Sequence, residues 1–217
     1  EMFGAVDTTA HSYAELAMLR SLYTGGIGAD IVAYTRAGEA DSLMPRFKLR
    51  AKVLHENLPR LFELLTEIIG TSDFSGSKRI RELVDEEKTG MELSLQRAAN
   101  QVVASRIAAY LTPAGAYAEV GGLPFHDFLS AFKENFDADH AKMQAAFARI
   151  LPQIFNRNDL ILSVTAPASM YDETAAQLAA FQDTLSAAVF PSAPYTWNIR
   201  ARNEGLTTQS RVQYVAK

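Results

Sequence analysis

His11 and Glu15, in the stretch HSYAEL, stand four residues apart, the spacing that puts an imidazole and a carboxylate on one face of a helix. In an inverted zinc motif, H-x-x-E-H, two His at that spacing hold the ion and the Glu before the second His activates a water. Here Ala14 takes the place of the base and Glu15 that of the second His. One imidazole and one carboxylate fall short of the three protein ligands a zinc site requires. The stretch therefore reads as a helix start capped by Ser12.

FDADH brings Asp137, Asp139 and His140 together and could hold a metal or exchange a proton, but aspartates ahead of an apolar stripe serve more commonly as caps on the helix dipole. DEEK, Asp85 to Lys88, offers paired carboxylates on an exposed arc. His11, His55, His126 and His140 each lack a second His within helical reach. Gly25-Gly26 and Gly121-Gly122 lack the Lys-Ser/Thr of a phosphate loop and the spacing of a dinucleotide fingerprint. No nucleophile elbow is present.

The strongest charge pattern is PRFKLRAKV. Phe47, Leu49, Ala51 and Val53 alternate with Arg46, Lys48, Arg50 and Lys52, so one face of a strand is apolar and the other cationic. Such a face attracts peptide carboxylates or an acidic partner if it lines a cavity, and otherwise solubilises an open sheet.

Composition bounds the rest. With 217 residues and 48% hydrophobic content, the chain is long enough for a substantial core. Its net charge of −4 carries no basic footprint for nucleic acid. Zero cysteines remove disulfides and thiolate chemistry. No apolar run reaches the ~20 residues that cross a bilayer, so no membrane is expected. No signal peptide is readable, and the expected location is the cytoplasm or, in a eukaryote, an organelle matrix.

These residues need elements to carry them. The spacing predicts a helix from Ser12 to about Thr24, with Leu16, Leu19 and Tyr23 on one face and Leu22 widening it. Period two follows over 27–34, EADSLM reads as a loop, and the cationic strand comes next. NLPRLFELLTEIIG is a helix with Asn57 as candidate cap, and Ser77 opens a long helical stretch reaching Tyr110, with Gly90 as a weak point. LTPAGAYAEVGGLP reads as a connector, Pro124 starts a helix, and Asp137 or Asp139 starts another that kinks at Pro152. DLILSVTA reads as a strand, a helix follows over 172–186, and RVQYVAK at the end alternates like a strand with no partner after it. The expected class is α+β in two layers, with helices packed on one face of a mainly antiparallel sheet.

The order of these segments, from GGI through KLRAKVLHENLPRLFELLTEII, RIRELVDEEKTGMELSLQRAANQVVASRIAAYLTPAGAYAEVGGLPFHDFL and NDLILSVTA to SRVQYVAK, resembles the pitrilysin/insulinase-type zinc metallopeptidases. It is most similar to the presequence-protease subgroup, in the non-catalytic second half. The resemblance implies a clamshell of two halves around a peptide-cutting chamber, with zinc bound in the first half and none bound by this segment. Glu86 and Glu87 fall on the helix where a catalytic domain holds its glutamate ligand, without the two His they would complete. The implied partners are the catalytic half of the same chain and peptide substrates. On this reading residues 1–188 are most of a partial, metallopeptidase-like half domain, 189–210 a linker, and 211–217 the first strand of a following domain, all cut from something longer.

The expected role is a non-catalytic substrate-chamber domain of a zinc-dependent oligopeptidase degrading unfolded peptides. The segment itself is expected to be inactive, with Arg46, Lys48, Arg50 and Lys52 as a possible chamber-facing basic face. The alternatives are a catalytically silent scaffold or assembly domain of the same fold and, behind it, an independent enzyme using Asp137, Asp139 and His140.

Overall fold

The computed structural model describes residues 2–191, 195–197, 199–207 and 212–217. Among these, helices dominate and two strands form the one sheet. The residues cluster into two compact units: Glu1–Asp30 with Phe47–Ile80 and Asp137–Ser192, and Ile31–Arg46 with Arg81–Phe136 and Ala193–Lys217.

In the first unit, α1 (Tyr13–Tyr23) starts where expected. Ser12 and Glu15 form a reciprocal capping box, each side chain reaching the other's backbone N–H. Leu16 is fully buried against Leu64 and Ile68, with Leu19 beside them. Leu22, expected on the same face, is instead 65% exposed. The partner, α2 (Leu58–Thr71), buries Leu58, Leu61, Leu64, Leu65 and Ile68 along one stripe. Each such burial contributes about 1.5–3 kcal/mol. Pro59 stands in its first turn, and Asn57 makes no side-chain cap bond.

The same unit holds most of α7 (Phe136–Ile154) and all of α8 (Tyr171–Asp183). Pro152 falls in the last turn of α7. Phe155, just beyond, meets Phe47 edge-on at 5.3 Å, and Phe3 closes the cluster at 5.9 Å from Phe155. Phe181 of α8 packs against Phe62 of α2 at 5.2 Å. Asn156 is buried but satisfied: its Oδ1 accepts from the Asn158 amide at 2.9 Å and its Nδ2 donates to the Ala188 carbonyl at 2.8 Å.

Strands β1 (Ile27–Arg36) and β2 (Glu39–Ala51) form an antiparallel hairpin around Ala37-Gly38. Gly38 has φ +82°, the left-handed conformation glycine adopts without strain. Phe47 and Leu49 of β2, with Val53 just beyond, pack on the first unit's core, as the alternation requires, while Ala51 stays exposed. EADSLM, expected as a loop, is the first half of β2.

In the second unit, α3 (Ser77–Arg97), most of which belongs here, runs uninterrupted through Gly90 and yields at Ala98 to α4 (Ala99–Ala109). The segment expected as a connector contains a helix, α5 (Pro113–Val120), and α6 (Leu123–Glu134) follows. Pro113 sits in the first turn and Thr112 caps it by accepting from the Gly115 amide at 3.0 Å. Gly115 lies so close to the Ala108 carbonyl that a methyl there would overlap it. Its missing side chain is what lets α4 and α5 pack together.

DLILSVTA forms no strand. A 3₁₀ turn (Arg157–Asp159) precedes it, and Ile161 and Val164 are 78% and 50% exposed. An apolar run becomes a strand only where another pairs with it, and none does here. Residue 211, the start of the expected last strand, lies outside the described residues, as do 192–194, 198 and 208–210 of the expected linker; 212–217 belong to no regular element. No helix among the described residues is long and apolar enough to cross a membrane.

Candidate functional site

Three of the four cations singled out by alternation, Lys48, Arg50 and Lys52, fall in the first unit. Arg50 pairs across the hairpin with Asp30, Nη2 to Oδ2 at 2.9 Å, both side chains largely solvated. Lys52 lays its stem beside Gly25, and their backbones bond at 2.7 Å (Gly25 amide to Lys52 carbonyl). Gly25 to Gly28 and Arg50 to Lys52 line a shallow cavity of about 340 Å³. Lys48 and Lys52 enter no ion pair among the described residues. Arg46 is exposed and donates to the adjacent Pro45 carbonyl at 3.1 Å.

The His and acidic residues take structural partners. Glu15 is occupied by Ser12, so His11 turns elsewhere: its Nδ1 donates to Glu67 of α2 at 2.9 Å, beside Thr8, whose hydroxyl donates to the same carboxylate. Asp139 pairs with Lys142 at 2.7 Å, while His140 Nε2 donates to the Phe74 carbonyl at 2.8 Å. Asp85 meets Lys133 at 2.7 Å, and Lys88 pairs with Glu92 one turn on. His55 Nε2 lies 2.8 Å from Glu173. Among the described residues no three His, Asp or Glu side chains converge as a metal site would require. The residues present do not fit a zinc ion.

A second charge centre, in the second unit, was not legible in the sequence. The close crossing at Gly115 brings Glu119 of α5 to Arg106 of α4, Nη1 to Oε1 at 3.2 Å. Glu119 is 6% exposed. Glu204 closes on the other edge of the guanidinium, with Nε to Oε2 at 2.9 Å and Nη2 to Oε1 at 2.7 Å. Nη2 also donates to the Tyr110 hydroxyl at 2.9 Å. Burial pulls the Arg106 pKa down, but bonds to Glu204 and Glu119 outweigh it and the net shift is upward, so the cation is permanent. The Arg106 fork, then the Tyr110 hydroxyl, holds the Glu204 carboxyl below the usual range. Burial and the neighbouring Glu204 raise the Tyr110 phenol. Arg106, Leu123, Pro124, Asp127, Glu204 and Leu206 are among the residues around a cavity of about 410 Å³.

Only the Arg106–Tyr110 spacing of four, on one helix face, hinted at this centre; Glu204 is 98 residues away in sequence. Both charge centres are made of groups that hold and position a charged partner. The class of protein is a helix-dominated, peptidase-associated α+β domain: a family model described as peptidase-associated, for subfamily C of peptidase family M16, matches residues 1–132. The chain belongs to that family, as a pitrilysin-type, presequence-protease-like segment.

It is similar to protein HypA of Clostridium perfringens, 23% identical over 218 residues, covering 100% of this chain and 22% of that protein. It is also similar to presequence protease 1, chloroplastic/mitochondrial, of Arabidopsis thaliana, 26% identical over 213 residues, covering 95% of this chain and 19% of that protein. The chain thus spans about a fifth of the length of the curated relatives it matches.

Proposed function

We propose that this chain is a non-catalytic substrate-chamber domain of a zinc-dependent oligopeptidase, docked against the catalytic half of the same parent chain. The observation that carries this reading is the joint one: a peptidase-associated family model and a presequence protease that aligns with 95% of the chain. The physical role is confinement. A chamber wall holds a flexible peptide near a reacting centre and excludes folded proteins, so it acts through positioning and access. Residues 1–188 form the metallopeptidase-like, two-layer half domain, 189–210 the linker and 211–217 the opening strand of the next domain. Exposed Ile161 and Val164 fit a segment whose strand partners come from elsewhere in the parent. An organelle matrix or the cytoplasm suits such a protein.

Within that wall the basic face of Arg46, Lys48, Arg50 and Lys52 points into the chamber and draws in acidic or carboxylate-ended peptides. Two measurements test the reading. The 217-residue chain alone is expected to cleave no unfolded peptide and to bind no stoichiometric zinc, and chelator-sensitive cleavage by it overturns the proposal. In the parent, Lys48→Glu with Lys52→Glu is expected to raise KM for acidic peptides several-fold with kcat nearly unchanged; no change removes the basic face from the chamber. The alternative, a silent scaffold of the same fold, is favoured if the parent carries no H-x-x-E-H upstream.

A further inference from the structure

Arg106 has two edges, and the protein uses them differently. Through Nη1 it neutralises Glu119, a buried carboxylate on a helix packed tightly against its own. Removing Arg106 would leave that charge buried and unpaired, so this partnership is permanent. The opposite edge, Nε and Nη2, is the fork that receives a carboxylate side-on. Its occupant, Glu204, comes from a stretch with no helix or strand, whose residues 200–207 are all exposed. Nothing rigid holds that carboxylate in place except the fork itself.

We propose that the Nε/Nη2 edge of Arg106 is a carboxylate-binding site, with Glu204 as its resident ligand, and that a peptide carboxylate takes the place of Glu204 when the 199–207 segment lifts away. The exchange conserves charge, one carboxylate for another, and so leaves the Arg106–Glu119 pair undisturbed. The adjoining cavity sets the ligand class. Leu123 and Pro124 offer apolar wall beside the fork, while Asp127 repels a second negative charge. The ligand is therefore a peptide with one carboxylate next to an apolar residue. This inference stands on the geometry of one unit and does not depend on the peptidase reading.

The carboxylate has two possible sources, a chain end or an acidic side chain, and three peptides separate them: N-acetyl-Ala-Ala-Leu with a free C-terminus, N-acetyl-Ala-Glu-Leu-amide, and the neutral N-acetyl-Ala-Gln-Leu-amide. Binding to the 217-residue chain is measured by calorimetry. Displacement is followed by the fluorescence of Trp197, the single tryptophan, which meets Tyr117 edge-on at 5.8 Å and lies seven residues before Glu204. At least one carboxylate peptide is expected to bind and shift Trp197 emission, while the neutral peptide does neither. Glu204→Gln removes an internal competitor whose effective concentration is of millimolar order, and is expected to tighten binding about tenfold or more. Arg106→Lys keeps a cation beside Glu119 but lacks the fork, and is expected to weaken binding about tenfold. A purely structural ion pair would show no gain in Glu204→Gln. The proposal is overturned if no carboxylate peptide binds that variant, if the neutral peptide binds equally well, or if binding leaves Trp197 unchanged in the unsubstituted chain.

Discussion

His140 Nε2 donates to the main-chain oxygen of Phe74 at 2.8 Å, tying α7 to the turn that follows α2. The Gln144 amide donates to the same oxygen at 3.1 Å, so the carbonyl keeps one donor if the other is lost. Phe74 itself packs edge-on against Phe147 of α7 at 4.8 Å. This is a structural clasp, and it gives the histidine of FDADH a role other than proton transfer. His140→Ala is expected to destabilise the fold by about 1 kcal/mol, read from a urea midpoint, with no change in bound metal content. A fall in bound metal would revive the reading of Asp137, Asp139 and His140 as a centre.

Gly115 and Gly90 should respond in opposite directions. A methyl at Gly115 meets the Ala108 carbonyl in the α4–α5 crossing, and Gly115→Ala is expected to cost about 1–3 kcal/mol. Gly90 is exposed in the middle of α3, with nothing near the position a methyl would take. Gly90→Ala is expected to stabilise by about 0.5–1 kcal/mol. Thermal melts of the two variants check both signs.

Leu16 is the most completely buried side chain of α1, enclosed by Leu64 and Ile68 of α2. Leu16→Ala is expected to cost about 2–5 kcal/mol, the transfer term plus the cavity left behind. Leu22→Ala, six residues on and 65% exposed, is expected to cost less than about 0.5 kcal/mol. Equal losses would mean that α1 packs through a different face.

Acid should release the 199–207 segment. The Glu204 carboxyl is held low mainly by Arg106, so its folded pKa lies below the unfolded value of about 4.3. A depressed carboxylate contributes stability that is complete above the unfolded pKa and disappears as pH falls through the folded one. Asp73, bonded to the Ser75 hydroxyl and amide, and Glu15, bonded to the Ser12 amide and hydroxyl, are lowered as well and act in the same direction. Trp197 emission is expected to hold steady from about pH 7 to 5 and to change below about pH 4. In Glu204→Gln it is expected to show no such step, and a step of equal size there would assign the transition to another group.

Much of the helical skeleton was written locally. The stripe from Leu58 to Ile68, the Ser12–Glu15 capping box and the Gly-containing turn of the hairpin are set by neighbours within about four residues, and a reader of the sequence has all of those neighbours in view. The alternation around Phe47 likewise fixed which side of β2 faces the core and which carries the cations. The order of segments was enough to identify the family.

Where the outcome depended on a distant partner, local pattern failed. DLILSVTA has the residues of a strand but finds no strand to pair with, and EADSLM has the residues of a loop but is drawn into β2 by its pairing with β1. His11 bonds Glu67 and not Glu15, because the cap already holds Glu15. The Arg106 centre joins α4, α5 and a segment 98 residues further along, and it exists only because Gly115 lets two helices touch. Hydrogen bonds and close packing are short-range forces in space, so the sequence determines the elements one turn at a time, and only the folded chain decides which distant charges come within about 3 Å of each other.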